Sequence, residues 1–260
     1  MSVTEIIVIV IAGIFVGFIN TLSGGGSVIS LSLLILLGLP AGIANGTNRI
    51  SIFFQTLSSV GNFTRQKMFD NLRPVYLAIP ATIGAILGAF LAVDVNSRVI
   101  EIAMAVSMVL MLGFLFYKPD KWLKEKPARL SQPLKWWQFL IFFLVGFYGG
   151  FIQVGVGYFL LMALVLGVGY DLVKANAVKN LIVFFYAIFA LLVFIIDGKV
   201  NYLYGFILSA GSMIGALIAS HLAVKKGSGF IRAVILVSVL LTILQISGLI
   251  NFTELLKLFL

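Results

Sequence analysis

Ten apolar segments take up most of this chain and leave a water-facing globule no way to form. They run over 4–22, 28–39, 43–64, 74–93 and 97–117, then over 136–150, 156–169, 173–196, 202–223 and 230–248. A helix of about 20 apolar residues crosses the hydrocarbon core of a bilayer. Charged residues make up only 10% of the 260, where a soluble domain carries about 25%. Polar surface is therefore too scarce to face water, and lipid must cover much of the chain. The expected fold class is all-α and polytopic, with the lipid bilayer as partner.

The segments fall into two sets of five around a polar linker. Lys118 to Lys135 holds Pro119, Pro127 and Pro133 together with Lys121, Lys124, Lys126 and Arg129. Proline and charge both bar a lipid-crossing helix there. The chain accordingly divides into a first transmembrane repeat, 1–117, a basic linker, 118–135, and a second transmembrane repeat, 136–260. Basic loops stay on the cytoplasmic side, so the linker sets the orientation. Alternating outward from it places Arg65, Lys67, Arg73, Lys174, Lys225, Lys226 and Arg232 on that same side and both termini outside. These loops account for the net charge of +9, and no nucleic-acid partner is called for. The run from Ile6 has no basic start and no A-x-A site, so it reads as the first helix and not as a removed signal.

The two halves resemble each other. Gly17-Phe18 matches Gly146-Phe147, Gly26 matches Gly155 and Gly38 matches Gly167 at one offset. Ile83-Gly84-Ala85 matches Ile214-Gly215-Ala216, and Leu91-Ala92 matches Leu222-Ala223, with the offset drifting by two. Five segments is an odd number, so the second half must run upside down relative to the first. That is the inverted-repeat plan of many secondary transporters.

Both halves are interrupted at matching places. Ser23-Gly24-Gly25-Gly26-Ser27 separates the first two segments, and Gln153-Val154-Gly155-Val156-Gly157 occupies the matching place. The segments that follow are short: twelve helical residues rise about 18 Å, against a core of about 30 Å. The chain is expected to break or re-enter inside the membrane at both places, which is allowed only where protein or a watery cavity surrounds it. Glycine-interrupted short segments at matching positions point to a transporter site. A helix that starts after a glycine turn aims backbone N–H groups and its positive end at the break, which favours an anion. Asn20, Ser23, Ser27 and Gln153 add neutral hydrogen-bonding groups. The bland alternative is that the glycines only let helices pack closely.

A second pair of matched stretches carries charge. Gly46-Thr47-Asn48-Arg49 opens the third segment, and Asn176-Ala177-Val178-Lys179-Asn180 corresponds to it. Cations inside membrane segments face a cavity or a partner and mark a pathway. Left unpaired, Arg49 and Lys179 would be counter-ions for an anionic substrate; the alternative is that both snorkel to the interface. The candidate substrate-binding set is thus Asn20, Ser23, Gly24, Gly25, Gly26, Ser27, Thr47, Asn48, Arg49, Gln153, Gly155, Gly157, Asn176, Lys179 and Asn180. Gln55, Asn62 and Gln245 are expected to bond between helices. His221 reads as structural, with pH sensing as its alternative.

The run Gly17-Phe18-Ile19-Asn20-Thr21-Leu22-Ser23-Gly24-Gly25-Gly26, then Gly38-Leu39-Pro40 and Gly46-Thr47-Asn48-Arg49, resembles the TauE/SafE family of sulfite exporters. Arginine stands where that family usually has lysine, which keeps the charge and changes its shape. The second half departs further, with Gln153 in place of a glycine. The resemblance implies transport of small sulfur-containing anions, of sulfite or organosulfonate type, across the cell membrane. An alternating-access transporter is the expected function. An anion channel and a non-transporting membrane assembly partner are the alternatives, and a homodimer is compatible with any of them. No cysteine, a single histidine and no carboxylate pair within the apolar segments argue against an enzyme, a metal site or a cofactor.

Overall fold

The computed structural model describes residues 1–69, 71–96, 98–100, 102–103, 106, 130 and 132–246, with side chains as far as Leu240. The expected segment 97–117 and the linker 118–135 fall largely outside the described residues. Among those described there is helix and no strand: α1 (Val3–Leu22), α2 (Ser27–Leu36), α3 (Ala41–Arg65), α4 (Arg73–Asp94), α5 (Trp136–Phe151), α6 (Val156–Met162), α7 (Leu172–Ile196) and α8 (Tyr202–Ile246). A π-helical turn, Ala163–Val168, continues α6. α8 comprises the ninth and tenth expected segments as two helices that meet at Gly227, whose φ of 75° and ψ of −170° are not helical. The chain is a multi-pass membrane protein: α1, α4, α7 and α8 are each long and apolar enough to cross a bilayer.

The caps follow from sequence. Ser2 and Glu5 form a reciprocal capping box on α1, and the Asp171 carboxylate accepts from the amides of Val173 and Lys174 at the start of α7. Pro40 precedes α3 and Pro74 sits in the first turn of α4, where a missing N–H costs nothing.

Both short helices turn back along their predecessors. The amide of Ser27 donates to Asn20 Oδ1 at 3.0 Å, and Gly26 lies against the carbonyl of Val16, so α2 returns antiparallel to α1. In the second half Tyr148 donates to the carbonyl of Val154, and Gln138 Nε2 to that of Gly167 at 3.0 Å, so α6 and its π turn return along α5. The breaks expected at 23–27 and 153–157 are the tips of these two hairpins.

Long-helix packing crosses the division at the linker. Gly13 lies against Leu208 and Gly211, Gly211 against Val10 and Ile14, and Gly215 against Ile14 and Phe18, so α1 runs parallel to α8 at backbone contact. In the same way Gly84 meets Phe143 and Phe147, Gly146 meets Ala81, and Gly150 meets Ala85, so α4 runs parallel to α5. A β-carbon on Gly13 would fall 2.6 Å from the Leu208 carbonyl oxygen, and one on Gly150 2.5 Å from the Ala85 Cα. Small residues at such seams let helices gain dispersion contact where lipid offers no hydrophobic drive. α3 runs parallel to α8, with Ser51 on Ser212 and Asn62 on Ser220. α3 runs antiparallel to α7, with Gly46 near Phe194, Phe53 stacked on Phe184 and Ser59 on Asn180.

Candidate functional site

The polar residues of α3 and α7 could not face lipid, and the fold encloses them. Asn45, Thr47, Asn48 and Arg49 on α3, and Asn176, Lys179 and Asn180 on α7, are all buried. Neither cation snorkels. Each reaches across to the hairpin of the opposite half.

Arg49 Nη1 donates to the carbonyl of Gly149 at 2.8 Å, and Nη2 to that of Gly150 at 2.6 Å, at the C-terminal end of α5. Lys179 Nζ donates to the carbonyls of Asn20 at 2.9 Å and Thr21 at 2.7 Å, at the C-terminal end of α1. The last carbonyls of a helix have no partner within it and carry its negative dipole end, so a buried cation satisfies both. Asparagines complete each cap: Asn45 Nδ2 donates to Phe151 O at 2.8 Å, and Asn176 Nδ2 to Leu22 O at 2.6 Å. The two caps occupy equivalent positions. Gly149, Gly150 and Phe151 stand at the offset from Asn20, Thr21 and Leu22 that separates Gly146 from Gly17. The expectation of cations standing unpaired therefore needs revision: both are held by backbone carbonyls. No carboxylate pairs with either among the described residues; carbonyl dipoles meet both charges, and the centre of the Phe194 ring lies 5.0 Å from the Arg49 guanidinium carbon.

Between the caps the hairpin tips touch. Gly24, at φ 88°, lies on Gly157, and a β-carbon on Gly24 would fall 2.8 Å from the Gly157 nitrogen. Gly155 supplies the left-handed residue (φ 68°) before α6. At the place of Gly24 the second half has Gln153, also left-handed at φ 71°, a conformation costing about 1–2 kcal/mol in an L-residue. Its side chain is held there. Gln153 Oε1 accepts from the Tyr186 hydroxyl at 3.1 Å and, at 3.5 Å, from Arg49 Nη1.

Several amides expected to face a ligand bond inward instead. The Ser27 amide is taken by Asn20, and the Gly25 amide reaches Ser23 Oγ at 3.4 Å. Ser23 Oγ itself donates to Ile19 O at 2.9 Å. Asn180 Nδ2 donates to Thr21 O at 3.1 Å, joining the Lys179 cap. Thr47 is not part of the cluster: its hydroxyl accepts from the Asn201 amide at 2.9 Å, in the turn before α8. Asn48 Oδ1 accepts from Ser30 of α2 at 2.7 Å. This leaves Asn48 Nδ2 and Arg49 Nε as buried donors without an acceptor among the described residues. Of the residues expected to bond between helices, Asn62 does so, Gln55 Oε1 is buried without a partner among the described residues, and the Gln245 side chain lies outside them.

Sequence reasoning missed Asn45, Tyr158 and Tyr186. Asn45 was legible: it precedes Arg49 by one helical turn, as Asn176 precedes Asn180. The tyrosines sit in apolar runs with nothing to distinguish them.

The fold is a helical membrane bundle with two returning hairpins, each capped by a cation from the opposite half. The chain matches the family model "Sulfite exporter TauE/SafE" over residues 9–246 and belongs to that family. It is 28% identical to a "Probable membrane transporter protein" of Haemophilus influenzae over 227 residues, 86% of this chain and 88% of the relative. It is 31% identical to the "Probable membrane transporter protein YfcA" of Escherichia coli K12 over 222 residues, 85% and 81% respectively. A similar protein from a Sinorhizobium species is 27% identical over 234 residues, 90% and 89% of the two chains. No solved structure matches significantly. The chain is a membrane transporter of this family.

Proposed function

We propose that this transporter moves small sulfur-containing oxyanions, of sulfite or sulfonate type, across the cell membrane, with the linker cytoplasmic and both termini outside. The observation that carries the reading is the pair of buried donors without acceptors among the described residues, Arg49 Nε and Asn48 Nδ2. They lie on a helix whose cation has no carboxylate partner among the described residues. A buried donor left unsatisfied costs about 1–3 kcal/mol, and an anion's oxygens supply what it lacks. The family's name supplies the sulfur.

The two halves are read as inverted repeats. Equivalent carbonyls are capped from opposite halves, and α3 runs antiparallel to its counterpart α7. Access is proposed to alternate by rocking two bodies that are not the sequence halves. One body is α1, α2 and α3 with the first part of α8; the other is α5, α6 and α7 with α4. The close backbone seams lie within each body, and the contacts between bodies are the cation caps, the touching tips and the α3–α7 face.

Thermal unfolding of the purified protein tests the substrate, because a ligand that binds the folded state raises the melting temperature. Sulfite, thiosulfate, sulfate, methanesulfonate, acetate and chloride are compared at fixed ionic strength. A selective shift with a sulfur oxyanion, reduced in Asn48→Leu, is the expected result. Equal shifts with every anion, or none at all, would defeat the proposal.

A further inference from the structure

We infer that Tyr158 is a selectivity residue, donating its phenolic proton to the oxyanion head of the substrate; this rests on the site proposed above. Tyr158 is the third residue of α6, and its ring lies directly on the glycine turn of the other half. A β-carbon on Gly25 would fall 2.9 Å from Tyr158 Cε2 and 3.0 Å from Cζ, with the hydroxyl nearer still. The phenol thus covers the tip that leads into α2, on the side where Ser23, Ser27, Ser30 and Asn48 are all buried.

Its partners leave its proton free to be donated. The phenol oxygen lies 2.7 Å from Ser238 Oγ on the last part of α8, and Ser23 stands beside it. Each serine hydroxyl bonds a carbonyl of its own helix, Ser238 to Ile235 O at 2.9 Å and Ser23 to Ile19 O at 2.9 Å. A hydroxyl has one proton to give. Each serine proton has a carbonyl to serve, which leaves the Tyr158 hydroxyl free to act as the donor and a serine oxygen as its acceptor. An ionised oxygen is a far better acceptor than a neutral hydroxyl. An oxyanion arriving at the tip therefore displaces Ser238 as the acceptor of the Tyr158 hydrogen bond.

The first half has no counterpart. At the repeat offset the residue matching Tyr158 is Ile29, which has no proton to give. The two half-sites are unequal for this reason, and the substrate's charged head belongs on the α2 side. A directional O–H donor favours an oxyanion over a spherical halide.

The test measures sulfite, methanesulfonate and chloride binding to purified full-length protein by calorimetry, comparing wild type, Tyr158→Phe and Ser238→Ala. Both variants lose the α6–α8 hydrogen bond, and only the first loses the donor. Tyr158→Phe is expected to weaken both oxyanions about tenfold, leaving chloride unchanged, while Ser238→Ala binds as tightly as wild type or more tightly. Equal effects of the two variants, or no effect of Tyr158→Phe while wild type still binds sulfite, would overturn the role of Tyr158 alone. Wild type that binds no oxyanion would overturn the site reading beneath it.

Discussion

Removing the Arg49 guanidinium tests whether a cation in this protein is first a helix cap. In Arg49→Met the side chain keeps much of its length and loses its donors, so the carbonyls of Gly149 and Gly150, accepting at 2.8 and 2.6 Å, are orphaned. Each buried orphan costs about 1–3 kcal/mol, a sum of about 2–6 kcal/mol. The variant also escapes the cost of burying a charge, which runs the other way, so the net loss is expected in the lower half, about 2–4 kcal/mol. Lysine is the informative control. In the other half an ammonium already bridges two successive carbonyls at 2.9 and 2.7 Å, so Arg49→Lys should lose less than about 1.5 kcal/mol. Equilibrium unfolding in mixed detergent micelles gives both numbers. If Arg49→Met is as stable as wild type, or Arg49→Lys as unstable as Arg49→Met, the cap account is wrong.

Gln153→Gly should be more stable than Gln153→Ala by about 1 kcal/mol. Both lose the Tyr186 bond, and only alanine keeps the left-handed strain at φ 71°; thermal unfolding that ranks alanine first would contradict this. Gly150→Val should fail to give monodisperse protein, because its side chain enters the α4 backbone, whereas Gly61→Ala, which meets open space, should behave as wild type on size exclusion. The chain has no cysteine, so introduced thiols report motion cleanly. A disulfide between Ser51→Cys and Ser212→Cys, within one body, should leave transport in proteoliposomes intact. A short bifunctional thiol reagent joining Phe53→Cys to Phe184→Cys, between bodies, should stop it until it is cleaved. Gly25→Leu should insert and abolish transport, since its side chain displaces the Tyr158 ring.

The hairpin tips were legible because breaking a helix in lipid needs glycine, and Gly24 and Gly155 both take the left-handed conformations their runs suggested. Arg49 and Lys179 were legible for a similar reason: a cation in an apolar segment demands a partner. The partner itself was not, because it is backbone. A carbonyl at Gly149 or Asn20 leaves no mark on the side-chain alphabet, so the sequence offered a counter-ion or a snorkelling cation and no cap. The exchange of α4 and α8 between halves was equally hidden. Gly84 and Gly215 mark a close seam in sequence, and nothing in either says which helix lies on the far side. The boundary between the last two segments was legible: the polar stretch around Lys225 and Lys226 read as a loop, and the two helices meet there at Gly227.

The caps carry a consequence for the proposed cycle. Arg49 belongs to one body and its acceptors to the other, and the same holds for Lys179. Rocking the bodies apart would draw each cation off two carbonyls inside a low-dielectric interior, where an unpaired charge is most costly. In the proposed cycle an empty transporter would be held closed by its own cations. A bound oxyanion offers them negative oxygens in place of carbonyl dipoles, and charge-assisted bonds of that kind are the stronger ones. The substrate would thereby loosen the contact between the bodies by competing for the groups that make it. Binding and movement would then be coupled through two side chains, with no separate signal passing between distant sites.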